Sequence, residues 1–228
     1  MTTAPITARI PLVYEDGEAL VINKPAGLPV DPPRNGGTCL EDYFESLKLG
    51  FHRRPVAVHR LDTDTSGCLL LARNPKSTKR FAQAFQDRLV GKVYLGIVAG
   101  ELPENEGTID LPLGKISSAE KGWRMVHDPD GKPSVTHWKI LAVENGNSLI
   151  EFRPETGRTH QIRIHAETGL GAPLLGDPVY GPVHGQSAGA KRTMLHASKL
   201  TVQRDKKPAI EAFAPMPADF TELGFADG

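Results

Sequence analysis

Two short turns constrain this chain more than any other feature: Asp16-Gly17 and Asn145-Gly146, each set between apolar segments. A glycine after Asp or Asn supplies the left-handed backbone of a tight hairpin, so the flanks of each turn must pair antiparallel. Leu12-Val13-Tyr14-Glu15 enters the first turn and Ala19-Leu20-Val21-Ile22 leaves it, while residues 136–143 and 148–153 flank the second. Cys68-Leu69-Leu70-Leu71-Ala72 is a continuous apolar run and reads as a buried strand, and a further strand is expected over 92–99. Hairpins outnumber crossover units. The expected class is therefore α+β, with a mixed, mostly antiparallel central sheet flanked by helices and loops.

Helices are expected in two places, and a third segment leaves strand and helix open. Thr38 and Glu41 have the spacing of a capping box, and Leu40, Tyr43, Phe44 and Leu47 follow at helical intervals. Asn74-Pro75 opens a second helix whose Phe81, Phe85 and Leu89 share a face, with Gly91 as its end. Residues 159–168 are ambiguous: Ile162, Ile164 and Ala166 alternate like a strand, but Thr168-Gly169 looks like a helix end. Residues 103–133, rich in Pro, Gly and charge, read as an excursion with short strands. No internal repeat or clear linker is present.

At 228 residues the chain makes one domain or two small subdomains. No stretch approaches the roughly 20 apolar residues of a membrane span, and the first residues lack the apolar core of a secretory signal. Cys39 and Cys68 cannot form a disulfide framework and lack metal-ligand spacing, so a reducing cytoplasm is the expected compartment. His160 and His165 are five apart, which does not fit a helical zinc pair. No nucleotide-binding glycine fingerprint and no Gly-x-Ser-x-Gly elbow occurs.

The chemistry is concentrated in His59-Arg60-Leu61-Asp62-Thr63-Asp64-Thr65-Ser66-Gly67, which puts a base, a cation and a carboxylate on a turn just before the buried run. Alone, this string better describes an ordinary surface Arg-Asp pair beside a turn. Further strings stand in order along the chain: Asn23-Lys24-Pro25-Ala26-Gly27-Leu28, the tyrosine segment 92–100, Thr156-Gly157-Arg158-Thr159-His160-Gln161-Ile162-Arg163-Ile164-His165, Gly176-Asp177-Pro178-Val179-Tyr180-Gly181, Leu195-His196-Ala197 and Ala214-Pro215-Met216-Pro217. Together they resemble the RluA-type pseudouridine synthases, which isomerise uridine in RNA to its C-glycoside. The likeness runs from about residue 12 to about residue 220.

The resemblance implies a single catalytic domain over 1–228, with two subdomains around an RNA-binding cleft and no N-terminal S4-type module. It favours a helix over 159–168. It implies Asp62 as the catalytic nucleophile, Arg163 as the arginine paired with it, and Tyr94 as the pocket tyrosine. Ile162 is expected to pack on the base, and Arg60, Arg158 and His160 to contact the RNA. The implied reaction is redox-neutral and is expected to need no cofactor and no metal. A carboxylate in a drying pocket has its pKa raised, and an adjacent cation lowers it by roughly 1–3 pKa units. Arginine suits that task through its permanent charge and two-pronged geometry. The plain alternatives are a helix-surface arginine for Arg163, a core tyrosine for Tyr94 and a buried structural arginine for Arg60.

The implied partner is a ribosomal or transfer RNA stem-loop whose target uridine must be flipped out. No membrane and no obligatory protein partner is expected, and the chain is expected to be a monomer. Net charge is zero, so the basic footprint that RNA requires must come from local segregation. Candidate material is His52-Arg53-Arg54, Lys76 with Lys79-Arg80, Arg158 with His160, Lys191-Arg192 and Lys206-Lys207. Two rival readings are a catalytically inactive RNA-binding relative and a glycoside or nucleoside hydrolase using Asp62 with Asp64. Two carboxylates this close on one loop would not normally flank a sugar from opposite faces.

Overall fold

The Asp16-Gly17 turn joins β1 (Leu12–Glu15) to β2 (Ala19–Lys24) in an antiparallel hairpin, as its turn chemistry requires. The computed structural model describes residues 10–118, 122–181 and 189–226. The chain divides into two units, Met1–Gly91 with Ala197–Pro215, and Lys92–His196 with Met216–Gly228.

In the first unit β2 pairs with β4 (Ser66–Ala72), β3 (Val56–Ala57) adds to β4, and β11 (Leu195–Val202) pairs with β12 (Ile210–Phe213). These ladders are antiparallel. Every residue of β4 is buried, which is why its sequence is an unbroken apolar run and not an alternating one.

The β1–β2 turn is tied down by charge. Asp16 accepts from the amides of Glu18 and Ala19, both at 2.8 Å, and from Nη1 of Arg204 at 2.6 Å. Burial alone would raise the Asp16 pKa, but the Arg204 bond and the amides overcome it and hold the carboxyl at about 2. The unfolded value is about 3.9. The stabilisation is thus fully present above the unfolded value and is lost as pH falls through the folded one. Asp16→Asn keeps an acceptor for the two amides and removes the charge. Its melting temperature is expected to lie below wild type at pH 6 and to converge on it only as pH falls below about 2, read by circular dichroism.

Helix α1 (Pro75–Gln86) begins where Asn74-Pro75 placed it, with the Asn74 carboxamide accepting from the Ser77 amide at 2.9 Å. It ends earlier than expected. Arg88 takes a left-handed conformation, Leu89 is exposed, and Gly91 lies inside the next strand. The helix expected after Thr38 is also corrected. The segment forms two 3₁₀ turns, Leu40–Tyr43 and Ser46–Lys48, and the cap shifts by one residue, with Asp42 accepting from the Cys39 amide at 2.9 Å. Leu40, Phe44 and Leu47 are still buried. Left-handed Leu49 and Gly50 then stop further helical growth.

In the second unit β5 (Val90–Ala99, from Lys92), β10 (Asn147–Pro154), β9 (Val135–Glu144) and β6 (Glu106–Asp110) lie side by side and antiparallel. The β9–β10 hairpin turns on left-handed Asn145-Gly146. Val98, Ile150, Phe152 and Trp138 bury one face against Ile162, Ala166 and Leu174, while Ile97 and Leu149 bury the other against Met194, Phe220 and Phe225. The short helix α3 (Ala218–Glu222) carries Phe220. The expected excursion holds β6 and a separate ribbon of β7 (Leu113–Ser118) and β8 (Gly122–His127). Residues 161–169 are helical: α2 (Gln161–Ile164) continues as a π-turn over His165–Gly169. No helix is long and apolar enough to cross a membrane among the described residues.

Candidate active site

In the first unit the His59–Thr65 loop is held from both sides. Leu61 is buried, and the Leu70 amide of β4 donates to Nε2 of His59 at 2.9 Å, so that nitrogen carries no proton. The His59 ring stacks on Phe85 of α1 with centroids 4.4 Å apart. His59 thus anchors the loop on this face. After it, the Thr65 amide closes a turn on the Asp62 carbonyl at 3.1 Å.

Beneath this turn lies Lys24, fully buried at the end of β2. Its ammonium donates to the carbonyls of Pro25 and Leu28, both at 2.8 Å, and of Thr63 at 3.0 Å. The Gly27 amide also donates to Thr63 O, at 2.9 Å. Burying a charge is costly unless its donors are satisfied, and three carbonyls supply the required partners here. At the loop's exit, Gly67 has φ +108°, and an added Cβ would fall 2.2 Å from the Ala197 carbonyl oxygen. Asp62 itself is half-buried, and Arg60 is exposed and pairs with Asp31 at 3.3 Å. The buried structural role for Arg60 therefore fails.

In the second unit the Thr156–His165 string is bonded at almost every polar side chain. The Gln161 amide accepts from Thr156 Oγ1 at 2.8 Å and from the Arg158 amide at 3.0 Å, and it donates to Val135 O and Thr136 Oγ1, each at 3.0 Å. His165 is wholly buried between Thr136 Oγ1 and the Leu111 carbonyl, and burial pushes its pKa down, so the ring is neutral at neutral pH. Arg163 is buried, which excludes a helix-surface arginine. Its Nε donates to Asp177 Oδ2 at 2.6 Å and its Nη2 to Oδ1 at 2.8 Å. Oδ1 also accepts from the amides of Val179 and Tyr180. Burial alone would raise the Asp177 pKa, but Arg163 and the two amides bring it below the usual carboxylate value.

The Tyr180 ring lies under the guanidinium, 5.0 Å from its carbon, and the Tyr180 hydroxyl meets His160 Nδ1 at 3.0 Å. His160 is left-handed and also lies edge-on to Trp123, with ring centroids 5.5 Å apart. The half-buried Arg158 donates to the Pro133 carbonyl at 3.3 Å. Tyr94 on β5 and Ile162 on α2 pack in the same apolar cluster. Among the described residues no group of three metal-ligating side chains is present.

Comparison with known families decides what this assembly belongs to. Residues 18–168 match the RNA pseudouridylate synthase family model. The chain belongs to the RNA pseudouridine synthase family. It is an isomerase that converts uridine in RNA to pseudouridine.

An RNA pseudouridine synthase of Zymomonas mobilis, itself uncharacterised, is 55% identical over 214 residues, spanning 94% of this chain and 97% of that one. The ribosomal large subunit pseudouridine synthase D of the same organism is 40% identical over 226 residues, covering 93% of this chain and 71% of its own length. Human RNA pseudouridylate synthase domain containing 1 superposes with a TM-score of 0.78 at 29% identity, over 94% of this chain and 86% of that one.

Within this synthase, Tyr94, Ile162 and Arg163 of the expected site lie in the second unit with His160 and Arg158, and Asp62 and Arg60 in the first. Lys24 and Asp177 were not singled out from sequence, although both lie inside strings that carry the resemblance. Asp177 had a local signal, since an Asp whose side chain takes the amides two and three residues on is an Asx turn. Lys24 had none, because its partners come from separate loops.

Proposed function

We propose that this synthase uses Asp62 as its nucleophile on a uridine of ribosomal or transfer RNA. The carrying observation is the His-Arg-Leu-Asp turn, fixed by His59, Lys24 and Gly67, with the Asp62 side chain left partly accessible. A rigid scaffold under an accessible carboxylate is what a positioned catalytic group requires. The reaction breaks the C1′–N1 bond, turns the uracil and joins C5 to C1′. The C5 proton is lost and N1 gains one, so no electrons or atoms are exchanged with a donor.

Arg163 serves as the cation for the reacting carboxylate, and Asp177 as the positioning residue that fixes its guanidinium. Tyr94 and Ile162 receive the base. Arg60 meets the RNA where the base leaves the stack, with Arg158 and His160 further along the strand. The 40% identity to a ribosomal large subunit synthase favours ribosomal RNA. We further infer a cytoplasmic monomer acting without a protein partner. Mapping pseudouridines in ribosomal and transfer RNA from a strain lacking the gene against its parent tests the target. Loss of one or more ribosomal sites supports it, and an unchanged map refutes it.

Activity is expected to survive exhaustive dialysis against EDTA with no cofactor added, because the reaction as written needs only proton transfer and a carboxylate. The assay uses RNA refolded in magnesium-free, monovalent salt, so that chelation does not report on RNA folding. Loss on chelation with recovery on zinc would contradict the proposal.

A further inference from the structure

Zero net charge leaves open where an RNA backbone could be held. Several of the cations that the sequence offers are already committed. Arg192 is paired with Asp219 and bonds the carbonyls of Thr193 and Leu195. Arg80 and Lys207 are both on Glu18, and Arg204 is on Asp16. One group in the first unit is different. Arg53, Arg54 and Lys79 line a groove of about 440 Å³ beside the first turn of α1. All three are exposed, and none makes an ion pair among the described residues. No Asp or Glu lines the groove.

Its floor is built. Arg73 is buried, with Nη1 bonded to Glu15 and Asp16 O and Nη2 to Lys48 O, and its guanidinium stacks on Phe51 at 3.6 Å. This holds the segment before Arg53 against the sheet. Val56 and Pro75 give the groove an apolar wall. α1 presents its N-terminal end here, and the helix dipole adds to the positive field. Convergent cations without counter-ions, beside an apolar surface, match a sugar-phosphate strand: phosphates for the charges and ribose for the wall.

We propose that this groove is a second RNA contact, binding the phosphate backbone of the substrate away from the reacting base. It rests on RNA being the substrate but not on the identity of the nucleophile, and its readout is binding. The probe is a fluorescein-labelled RNA stem-loop with a uridine-rich loop, titrated by anisotropy over a range of potassium chloride. Each phosphate contact contributes about 0.7–0.9 to the slope of log K against log salt, so removing three should lower the slope by roughly 2–3. Arg53→Gln/Arg54→Gln/Lys79→Gln is expected to show that fall, with weakened affinity at low salt, and each single variant about a third of it. Turnover at saturating RNA and the melting temperature should match wild type. A control removing three exposed charges elsewhere, Arg88→Gln/Lys132→Gln/Lys139→Gln, should lower the slope less. An unchanged slope in the groove variant, or an equal fall in the control, would overturn the proposal. Wild type that fails to bind RNA in a salt-dependent way would instead count against the RNA reading itself.

Discussion

Asp62→Ala and Asp62→Asn are expected to eliminate pseudouridine formation while leaving the fold and RNA binding intact. The turn around Asp62 is built from its backbone carbonyl, the Leu61 side chain and the Lys24 cage, none of which the substitutions remove. A cost of about 1 kcal/mol or less is expected for a half-buried loop position. The loss of rate should be at least about 10²–10⁴-fold, the range for a positioned proton-transfer group, and larger if the carboxylate attacks covalently. Single-turnover assays at saturating enzyme separate this from RNA affinity. Comparable turnover by Asp62→Ala would end the assignment.

The second large effect is expected at Arg163, where charge and stability are linked through Asp177. Arg163→Met preserves much of the apolar volume but leaves Asp177 as a carboxylate at 0% exposure without its cation. Breaking a buried pair in this way costs about 3–5 kcal/mol, and for a chain of this size the melting temperature should fall on the order of 10 °C. Asp177→Asn keeps an acceptor for the Val179 and Tyr180 amides and removes the stranded charge. Arg163→Met/Asp177→Asn should therefore recover much of the lost stability yet remain inactive, because the cation that the proposed mechanism requires is still missing. Arg163→Lys should retain partial activity, with a point charge but no fork. A double variant regaining both stability and turnover would make Arg163 purely structural.

The two predictions draw on parts of the chain that differ in how readable they were. Asp16-Gly17, Asn145-Gly146 and Asn74-Pro75 placed two hairpins and a helix start because a turn or cap is decided by the residues within it. The end of α1 was misplaced for the opposite reason. Arg88 adopts a left-handed backbone that no side-chain type advertises, and Leu89 continues the helical spacing while pointing to solvent. After Thr38 the apolar spacing correctly named Leu40, Phe44 and Leu47 as buried, but not the 3₁₀ geometry that buries them.

Within the candidate site, the residues proposed to react lie in the sequence strings, while their supports come from the fold. Arg163 and Asp177 are 14 residues apart in sequence, and only the fold makes them a bidentate pair. Lys24 looked like any lysine after a strand until three carbonyls closed on its ammonium. His59, the apparent base of the motif, instead accepts a backbone bond and stacks on Phe85. Tertiary hydrogen bonds assign which members of the strings hold the others in place.

The most direct test of the account follows the hydrogen at C5. Ribosomal RNA labelled with uridine tritiated at C5, isolated from a strain lacking the gene, is incubated with purified wild type and with Asp62→Asn. The account predicts that wild type releases tritium to water in proportion to pseudouridine formed, that no free uracil appears, and that Asp62→Asn releases none. Free uracil without pseudouridine would mark a hydrolase, and equal tritium release by Asp62→Asn would remove Asp62 from the chemistry.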